Sequence, residues 1–126
     1  MAVVVKHTAV VFLGALLGAM LRITTEWGFS WGLGMAPAYG LLVVNALGCG
    51  AFGYCNVVLT QQGLRLFWLT GCWGAYTSFS ALSLVYVLWL PIKQPLLWLI
   101  YGVITVLSWG LLFALGQQLG QWKKRG

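Results

Sequence analysis

Four long apolar stretches, separated by short polar or glycine-rich segments, dominate the chain. They cover about residues 8–26, 38–59, 64–90 and 96–119. Each is close to the roughly 20 residues that an α-helix needs to cross the hydrocarbon core of a bilayer. The pattern therefore predicts an all-α membrane protein in which residues 1–126 form a single domain of four transmembrane helices.

The segments between the apolar stretches contain the residues that usually end helices. Gly28 to Pro37 is a glycine-rich loop, Gln61-Gln62-Gly63 is a polar turn, and Pro91-Ile-Lys-Gln-Pro95 separates the last two stretches. Gly116 and Gly120 are predicted to end the fourth helix. Tryptophans gather near the predicted helix ends, as in the aromatic belts of membrane proteins. These residues are Trp27, Trp31, Trp68, Trp89, Trp98 and Trp122.

The third apolar stretch has small and hydroxyl-bearing residues near its middle. They are Gly71, Gly74, Thr77, Ser78 and Ser80. Lipid offers no hydrogen bonds, so polar or irregular backbone at that depth survives only against protein or a water-filled path. Two interpretations are open. Either the helix is broken near the membrane midplane to present backbone groups to an ion, or the small residues let neighbouring helices pack closely.

Other polar side chains lie inside the second and fourth apolar stretches. Asn45 must satisfy its amide there, either by joining two helices or by donating to an anion. Tyr101, Thr105 and Ser108 follow one another at spacings of four and three, so they share one helical face. Their hydroxyls either donate outward or bond back to their own helix.

The first apolar stretch combines a close-packing motif with an arginine. Gly14 and Gly18 form a GxxxG pattern that lets another helix approach. Arg22 lies about one turn from the predicted helix end, where it either reaches the interface or is paired within the protein. Glu26, the only acidic residue of the chain, is its nearest helical neighbour.

The composition narrows the function. The chain has 126 residues, of which 61% are hydrophobic and 6% charged, against roughly 25% charged residues in soluble domains. No Asp, Glu, Lys or His lies in the predicted hydrocarbon interior, which disfavours proton-coupled exporters, carboxylate-ring cation pores and intramembrane enzymes. An asparagine amide, hydroxyls and aromatic ring edges remain, and these donors suit a small anion.

Basic residues are distributed unevenly between the two sides of the predicted bundle. Four spans place both chain ends on one side. That side collects Lys6, Arg65, Lys123, Lys124 and Arg125, whereas the other side has Arg22 and Lys93. The positive-inside rule then predicts cytoplasmic termini.

Three motifs, taken in order along the chain, resemble the signatures of the Fluc (CrcB) fluoride channels, a family of small dual-topology membrane proteins. They are Gly14-x3-Gly18-Ala-x2-Arg22, Val44-Asn45-x2-Gly48 and Thr70-Gly71-x2-Gly74-x2-Thr77-Ser78-Phe79-Ser80. The resemblance implies a passive fluoride-selective channel, not an enzyme, that exports fluoride across the inner or plasma membrane and protects against fluoride toxicity. It also implies an antiparallel dimer of four-helix subunits with a broken third helix.

The resemblance assigns roles to individual residues. Asn45, Phe79, Ser80, Tyr101 and Thr105 would lie along the fluoride pathway. Arg22 would be the structural arginine of the first helix. Backbone carbonyls of Gly74 and Thr77 would hold a central sodium ion that is structural rather than transported.

The chain departs from the family pattern at four positions. Leu82 stands where a second phenylalanine is expected, and Ala81 where a polar threonine is expected. Trp109 and Phe113 continue the helical face of Tyr101 and Thr105, where small polar residues are expected. Together with the charge bias, these departures lead to the hypothesis that the chain is one subunit of a heterodimer. The alternative to a conducting channel is a non-conducting structural subunit of such a heterodimer.

Overall fold

The computed structural model describes residues 1–34, 36–88 and 94–126, with the backbone alone for Pro37. Throughout these residues the regular secondary structure is helical, which confirms the all-α prediction. The α-helices are α1 (Ala2–Trp27), α2 (Pro37–Val58), α3 (Gln62–Arg65), α4 (Gly74–Tyr76), α5 (Phe79–Leu88) and α6 (Pro95–Arg125). Two π-helical segments, Gly28–Gly32 and Leu66–Trp73, extend α1 and join α3 to α4.

Within the described residues, three helical stretches are long and apolar enough to cross a membrane: Ala2–Gly32, Ala38–Val58 and Pro95–Arg125. The predicted span 64–90 is instead divided among α3, the π-helical segment, α4 and α5. The last two residues of this predicted span, Trp89 and Leu90, lie outside the described residues, as do residues 91–93.

Two predicted helix ends are wrong. Gly28 has helical backbone angles (φ −57°, ψ −43°), so the helix continues into the first half of the predicted loop as a π-helical segment that ends at Gly32. Gly116 and Gly120 do not end α6, which runs to Arg125. A Cβ on Gly116 would contact the Gly50 carbonyl of α2 and one on Gly120 would lie 2.9 Å from the Val57 Cβ. These glycines therefore serve helix contact rather than helix termination.

The helices pack as two parallel pairs. In the first pair α1 lies against the π-helical segment, and a Cβ on Gly14 or Gly18 would contact the backbone carbonyl of Phe67 or Cys72. Further along the same pair, Tyr76 donates a hydrogen bond to Thr25 at 3.2 Å. The glycines predicted to allow close approach thus do so.

The second parallel pair is α2 with α6. A Cβ on Gly53 would contact the Phe113 carbonyl of α6. At the other end of the pair, Tyr101 Oη donates to the Ala38 carbonyl at 2.8 Å. A small buried core of Leu41, Leu82 and Val85 lies beside this end.

Most large apolar side chains of α1 and α6 point away from the protein interior and are exposed. In water such a surface would drive aggregation, whereas a bilayer solvates it. Together with the three candidate spans, this surface makes the chain a multi-pass membrane protein.

Arg65, the last residue of α3, is bonded to the end of α2. Its Nη1 donates to the carbonyls of Asn56 and Leu59 at 2.9 Å each, and its Nη2 donates to Asn56 Oδ1 at 2.8 Å. These bonds satisfy carbonyls that the helix end leaves without donors. Lys123 lies at the same end, with its Nζ 5.9 Å from the centre of the Tyr54 ring.

Candidate functional site

The candidate site lies where the helical backbone is interrupted between α4 and α5. Thr77 has extended angles (φ −80°, ψ 148°), and Ser78 is not helical. The Thr77 N–H and Oγ1 both donate to the Trp73 carbonyl at 3.1 Å, which completes the last turn of α4. The chain then enters α5 at Phe79.

Asn45 of α2 holds this interruption in place. Its Nδ2 donates to the Ser78 carbonyl at 3.1 Å, and its Oδ1 accepts the Ser78 N–H at 2.8 Å. Because the Ser78 N–H can only donate, the amide has one possible orientation. Asn45 is only 2% exposed, so both bonds are shielded from competing partners. Asn45 was predicted either to join two helices or to donate to an anion. In the structure its amide joins α2 to the segment between α4 and α5.

Two backbone donors are diverted at the interruption. In a continuous α-helix the Ser78 N–H would donate to the Gly74 carbonyl and the Ala81 N–H to the Thr77 carbonyl. The first instead donates to Asn45, and the second to Ser78 Oγ at 3.1 Å. Ser78 thereby caps the N-terminus of α5. The carbonyls of Gly74 and Thr77 are released from these helical donors.

Gly48 allows α2 to come close enough for the Asn45 bonds. A Cβ at Gly48 would contact Thr77 Cγ2 and lie 2.9 Å from Tyr76 Cδ1. The spacing Asn45-x2-Gly48 therefore puts the amide and the contact point on one face of α2, opposite the interruption.

A cavity of about 140 Å³ adjoins the interruption. It is lined by Asn45, Cys49, Thr77, Ser78, Phe79 and Trp109. None of these side chains carries a carboxylate, an amine, a guanidinium or an imidazole. Polar atoms thus come from an amide, hydroxyls, a thiol and an indole, and the positive end of α5 lies beside them.

Phe79 links this cavity to the protein surface. It is 72% exposed and also lines an apolar groove of about 790 Å³ with Leu82 and Tyr86. Ser80 is exposed as well, and its hydroxyl lies 3.1 Å from Ser78 Oγ.

The hydroxyls of α6 lie outside the cavity lining. Thr105 is 1% exposed, and its Oγ1 donates to the Tyr101 carbonyl at 2.7 Å. Ser108 donates to the Thr105 carbonyl at 2.8 Å. Thr105 and Ser108 thus bond back to their own helix, as one of the two interpretations predicted. Tyr101 donates outward instead, to the Ala38 carbonyl of α2.

Arg22 lies away from the cavity, near the end of α1. Its Nε is 3.4 Å from Glu26 Oε1, without the alignment of a hydrogen bond. The two side chains are about a third exposed. Pairing within the helix, one of the two predicted alternatives, is therefore the observed state.

Sequence reasoning missed two parts of this arrangement. The partner of Asn45 is the backbone of Ser78, 33 residues away, and no side-chain pattern identifies such a partner. Trp109 lines the cavity, although it was predicted only as a departure from a polar face. The signal available was its spacing of four from Thr105, which places both residues on one side of α6.

Within the described residues no three His, Cys, Asp or Glu side chains lie close enough together to hold a metal ion. Any cation held near the interruption would therefore use backbone or hydroxyl oxygens.

The fold and the cavity define a helical membrane protein with a small uncharged polar site between its helices. The family model of the CrcB-like protein, Camphor Resistance (CrcB), matches residues 9–117. The chain belongs to the CrcB family, as the three motifs predicted.

Several curated relatives carry the name fluoride-specific ion channel FluC. The protein of Trichormus variabilis is 35% identical over 86 residues, covering 64% of this chain and 63% of the relative. The protein of Cereibacter sphaeroides is 41% identical over 76 residues, covering 59% and 61%. The protein of Mesorhizobium japonicum is 33% identical over 114 residues, covering 82% and 92%. The aligned chain thus spans less than two thirds of the first two relatives, and no solved structure matches it.

Proposed function

We propose that this chain forms a passive fluoride-selective channel that lets fluoride leave the cytoplasm and so protects the cell from fluoride toxicity. The observation that carries the proposal is the uncharged polar cavity between the Asn45 amide and the start of α5. Membership of the CrcB family and the names of the relatives point to the same ion.

The cavity has the chemistry of an anion site. The N-terminus of α5 contributes a partial positive charge, and its lining has no carboxylate to repel fluoride. The Asn45 amide supplies N–H groups, and the Phe79 ring can offer its positive edge. Ser80 extends the hydroxyl set toward the surface. Tyr101 and Thr105 would contribute to a pathway only by exchanging their present bonds to carbonyls for bonds to the ion.

The carbonyls of Gly74 and Thr77 fit a structural sodium ion, because both have lost their helical donors and are hard oxygen ligands. Bound there, sodium would supply a positive charge that offsets the cost of holding an anion in a low dielectric. Each chain offers two such carbonyls, so a second chain would complete the coordination.

The proposed assembly is therefore an antiparallel dimer, either of identical chains or of two homologous chains, in the inner or plasma membrane. Exposure of Phe79 on the surface of one chain supports a pathway completed by a second chain. Arg22 would anchor the end of α1, and the basic residues near Arg65 and Lys123 support cytoplasmic termini. Lys93, counted on the other side, lies outside the described residues.

Fluoride efflux from liposomes tests the proposal. The purified chain, reconstituted alone in vesicles loaded with fluoride, should release it rapidly when a potassium ionophore removes the charge barrier. Vesicles loaded with chloride should release little. Fluoride retention equal to that of protein-free vesicles, by a folded chain reconstituted both alone and together with a homologous subunit, would refute the channel.

Phe79→Ile tests the site itself. We expect loss of efflux with the dimer intact by light scattering, because isoleucine has no ring edge to offer. Phe12→Ile is the matched control, since Phe12 is similarly exposed, at 62%, but is absent from the cavity lining. Equal efflux from both variants would contradict a pathway along Phe79.

The second candidate is a non-conducting subunit that completes a heterodimer. Leu82 favours it, because this residue is 7% exposed and packs in the core with Leu41 and Val85 rather than presenting a ring to an ion. A chain that conducts only when combined with a homologous partner, and whose Phe79→Ile variant leaves that flux unchanged, would be such a subunit.

A further inference from the structure

Trp109 has a polar group with no acceptor in the described protein. Its Nε1 is fully buried and donates to none of the described residues, although its side chain lines the cavity. Buried donors are nearly always paired in folded proteins, and each exception calls for a physical reason. Lipid would provide no acceptor for this group either.

Asn45 lines the same cavity and also has an N–H group without an acceptor among the described residues. A primary amide carries two N–H groups. One of them bonds the Ser78 carbonyl, and no second acceptor of Nδ2 is found over the described ranges. Two side chains that each carry an N–H group without an acceptor there, one on α2 and one on α6, thus line a single space of about 140 Å³.

The hydroxyls around this space are already engaged. Thr77 Oγ1 donates to Trp73, while Ser78 Oγ accepts from Ala81 and is bonded to Ser80. The N–H groups of Asn45 and Trp109 are therefore the strongest donors left for a bound ligand, beside the weak S–H donor of Cys49. Water and a small anion can both accept two N–H bonds, but the anion gains more from them, because charge-assisted bonds are about twice as strong as neutral ones.

We propose that Trp109 is a fluoride-binding residue whose indole N–H donates to the ion together with the second N–H of Asn45. This inference rests on the proposed function. It makes Trp109 a ligand of the ion, and not merely a bulky residue at a position where a small polar one is expected. The indole ring also packs against the core of Leu41, Leu82 and Val85. A test must therefore separate the N–H group from the ring.

Trp109→Phe removes the N–H group and keeps an aromatic ring. Trp73→Phe is the matched control, because Trp73 also has a buried Nε1 without a partner in the described chain but does not line this cavity. We expect fluoride efflux or fluoride affinity to fall by about tenfold or more in the first variant. The control should stay within about twofold of the parent. Equal behaviour of the two folded variants would overturn the inference.

Replacing Trp109 by 3-benzothienylalanine gives a closer test, because sulfur takes the place of the N–H in a ring of nearly the same shape. If Trp109→Phe misfolds, this substitution still measures whether the indole N–H contributes to fluoride binding. The same loss of fluoride response is expected. A fully active, folded benzothienyl variant would show that only the ring matters.

The unmodified chain provides an independent readout by NMR. The indole N–H resonance of Trp109 should shift downfield and saturate on titration with sodium fluoride, and stay fixed with sodium chloride, while that of Trp73 stays fixed with both. An unmoved Trp109 resonance would overturn the inference even where efflux is intact. A saturating shift in a chain without efflux would support fluoride binding by Trp109 and refute the channel function, so the two failures are distinguishable.

Discussion

The two parts of the third helical segment meet their neighbours in opposite ways. At Gly71 the backbone presses against α1, because a Cβ there would lie 2.6 Å from the Val11 carbonyl and 2.9 Å from Gly14 Cα. A Cβ at Gly74 would meet only the Leu69 carbonyl, at 3.4 Å. Beyond Gly74 the segment also makes a polar contact with α2, through Asn45 and Ser78.

This contrast divides the small residues of the segment by role. Helix packing explains Gly71 fully, since no larger residue fits against α1. It does not explain Gly74, where a methyl group would be tolerated. Close packing thus describes the half around Gly71, whereas an ion-handling interruption stays a prediction for the half that begins at Gly74. Four substitution experiments test this division.

Gly71→Ala should have the largest effect on stability. Backbone atoms of α1 cannot move away as a side chain could, so we expect the free energy of unfolding in bicelles to fall by about 3 kcal/mol. The matched variant Gly74→Ala should change it by about 1 kcal/mol or less, because the site is helical (φ −62°, ψ −38°) and has room.

The same pair also makes a prediction about function. Gly74→Ala keeps the backbone carbonyl proposed to hold sodium, so fluoride efflux should stay near that of the parent, whereas Gly71→Ala should lower both stability and efflux. Equal losses of stability in the two variants would remove the distinction between the two halves.

Asn45→Ala should have the next largest effect. It leaves the N–H and carbonyl of Ser78 buried without their partners, so we expect a loss of about 2 kcal/mol in unfolding free energy. Fluoride efflux should be lost as well. Ser80→Ala is the control, because its hydroxyl bonds only Ser78 Oγ at an exposed position, and its stability should stay within about 0.5 kcal/mol. A fully stable Asn45→Ala variant would mean that the interruption does not depend on the amide.

The sequence predicts the helical elements far better than the details of the site. Apolar stretches of spanning length and GxxxG spacing depend on local pattern, and the helices and the Gly14 and Gly18 contacts follow from them. The Gly116 and Gly120 prediction failed because packing against α2 outweighs the weak helix propensity of glycine. The sequence indicates that Asn45 is important. It cannot identify the partner, the backbone of Ser78, because a backbone group has no sequence signature.

Ser78→Ala should have a smaller effect. It removes the oxygen that accepts the Ala81 N–H at 3.1 Å, and loss of such a cap costs about 1 kcal/mol. Hydrogen exchange at the Ala81 amide should accelerate while that at the Thr77 amide, which bonds Trp73, stays the same. Ser83→Ala is the control, because its hydroxyl only bonds back to the Phe79 carbonyl at 3.4 Å. Unchanged exchange at Ala81 would show that Ser78 does not cap α5.

Glu26→Gln should have the smallest effect. Its partner is Arg22, and both side chains are about a third exposed, whereas the contacts of Gly71 and Asn45 are buried. The atoms of this ion pair are 3.4 Å apart and poorly aligned. Solvent screens such a pair, so neutralising it should change the unfolding free energy by about 0.5 kcal/mol or less. Unfolding at low and high salt should likewise differ little. A loss as large as that of Asn45→Ala would mean that the end of α1 carries a buried charge network, which would be as important for stability as the contact between Asn45 and Ser78.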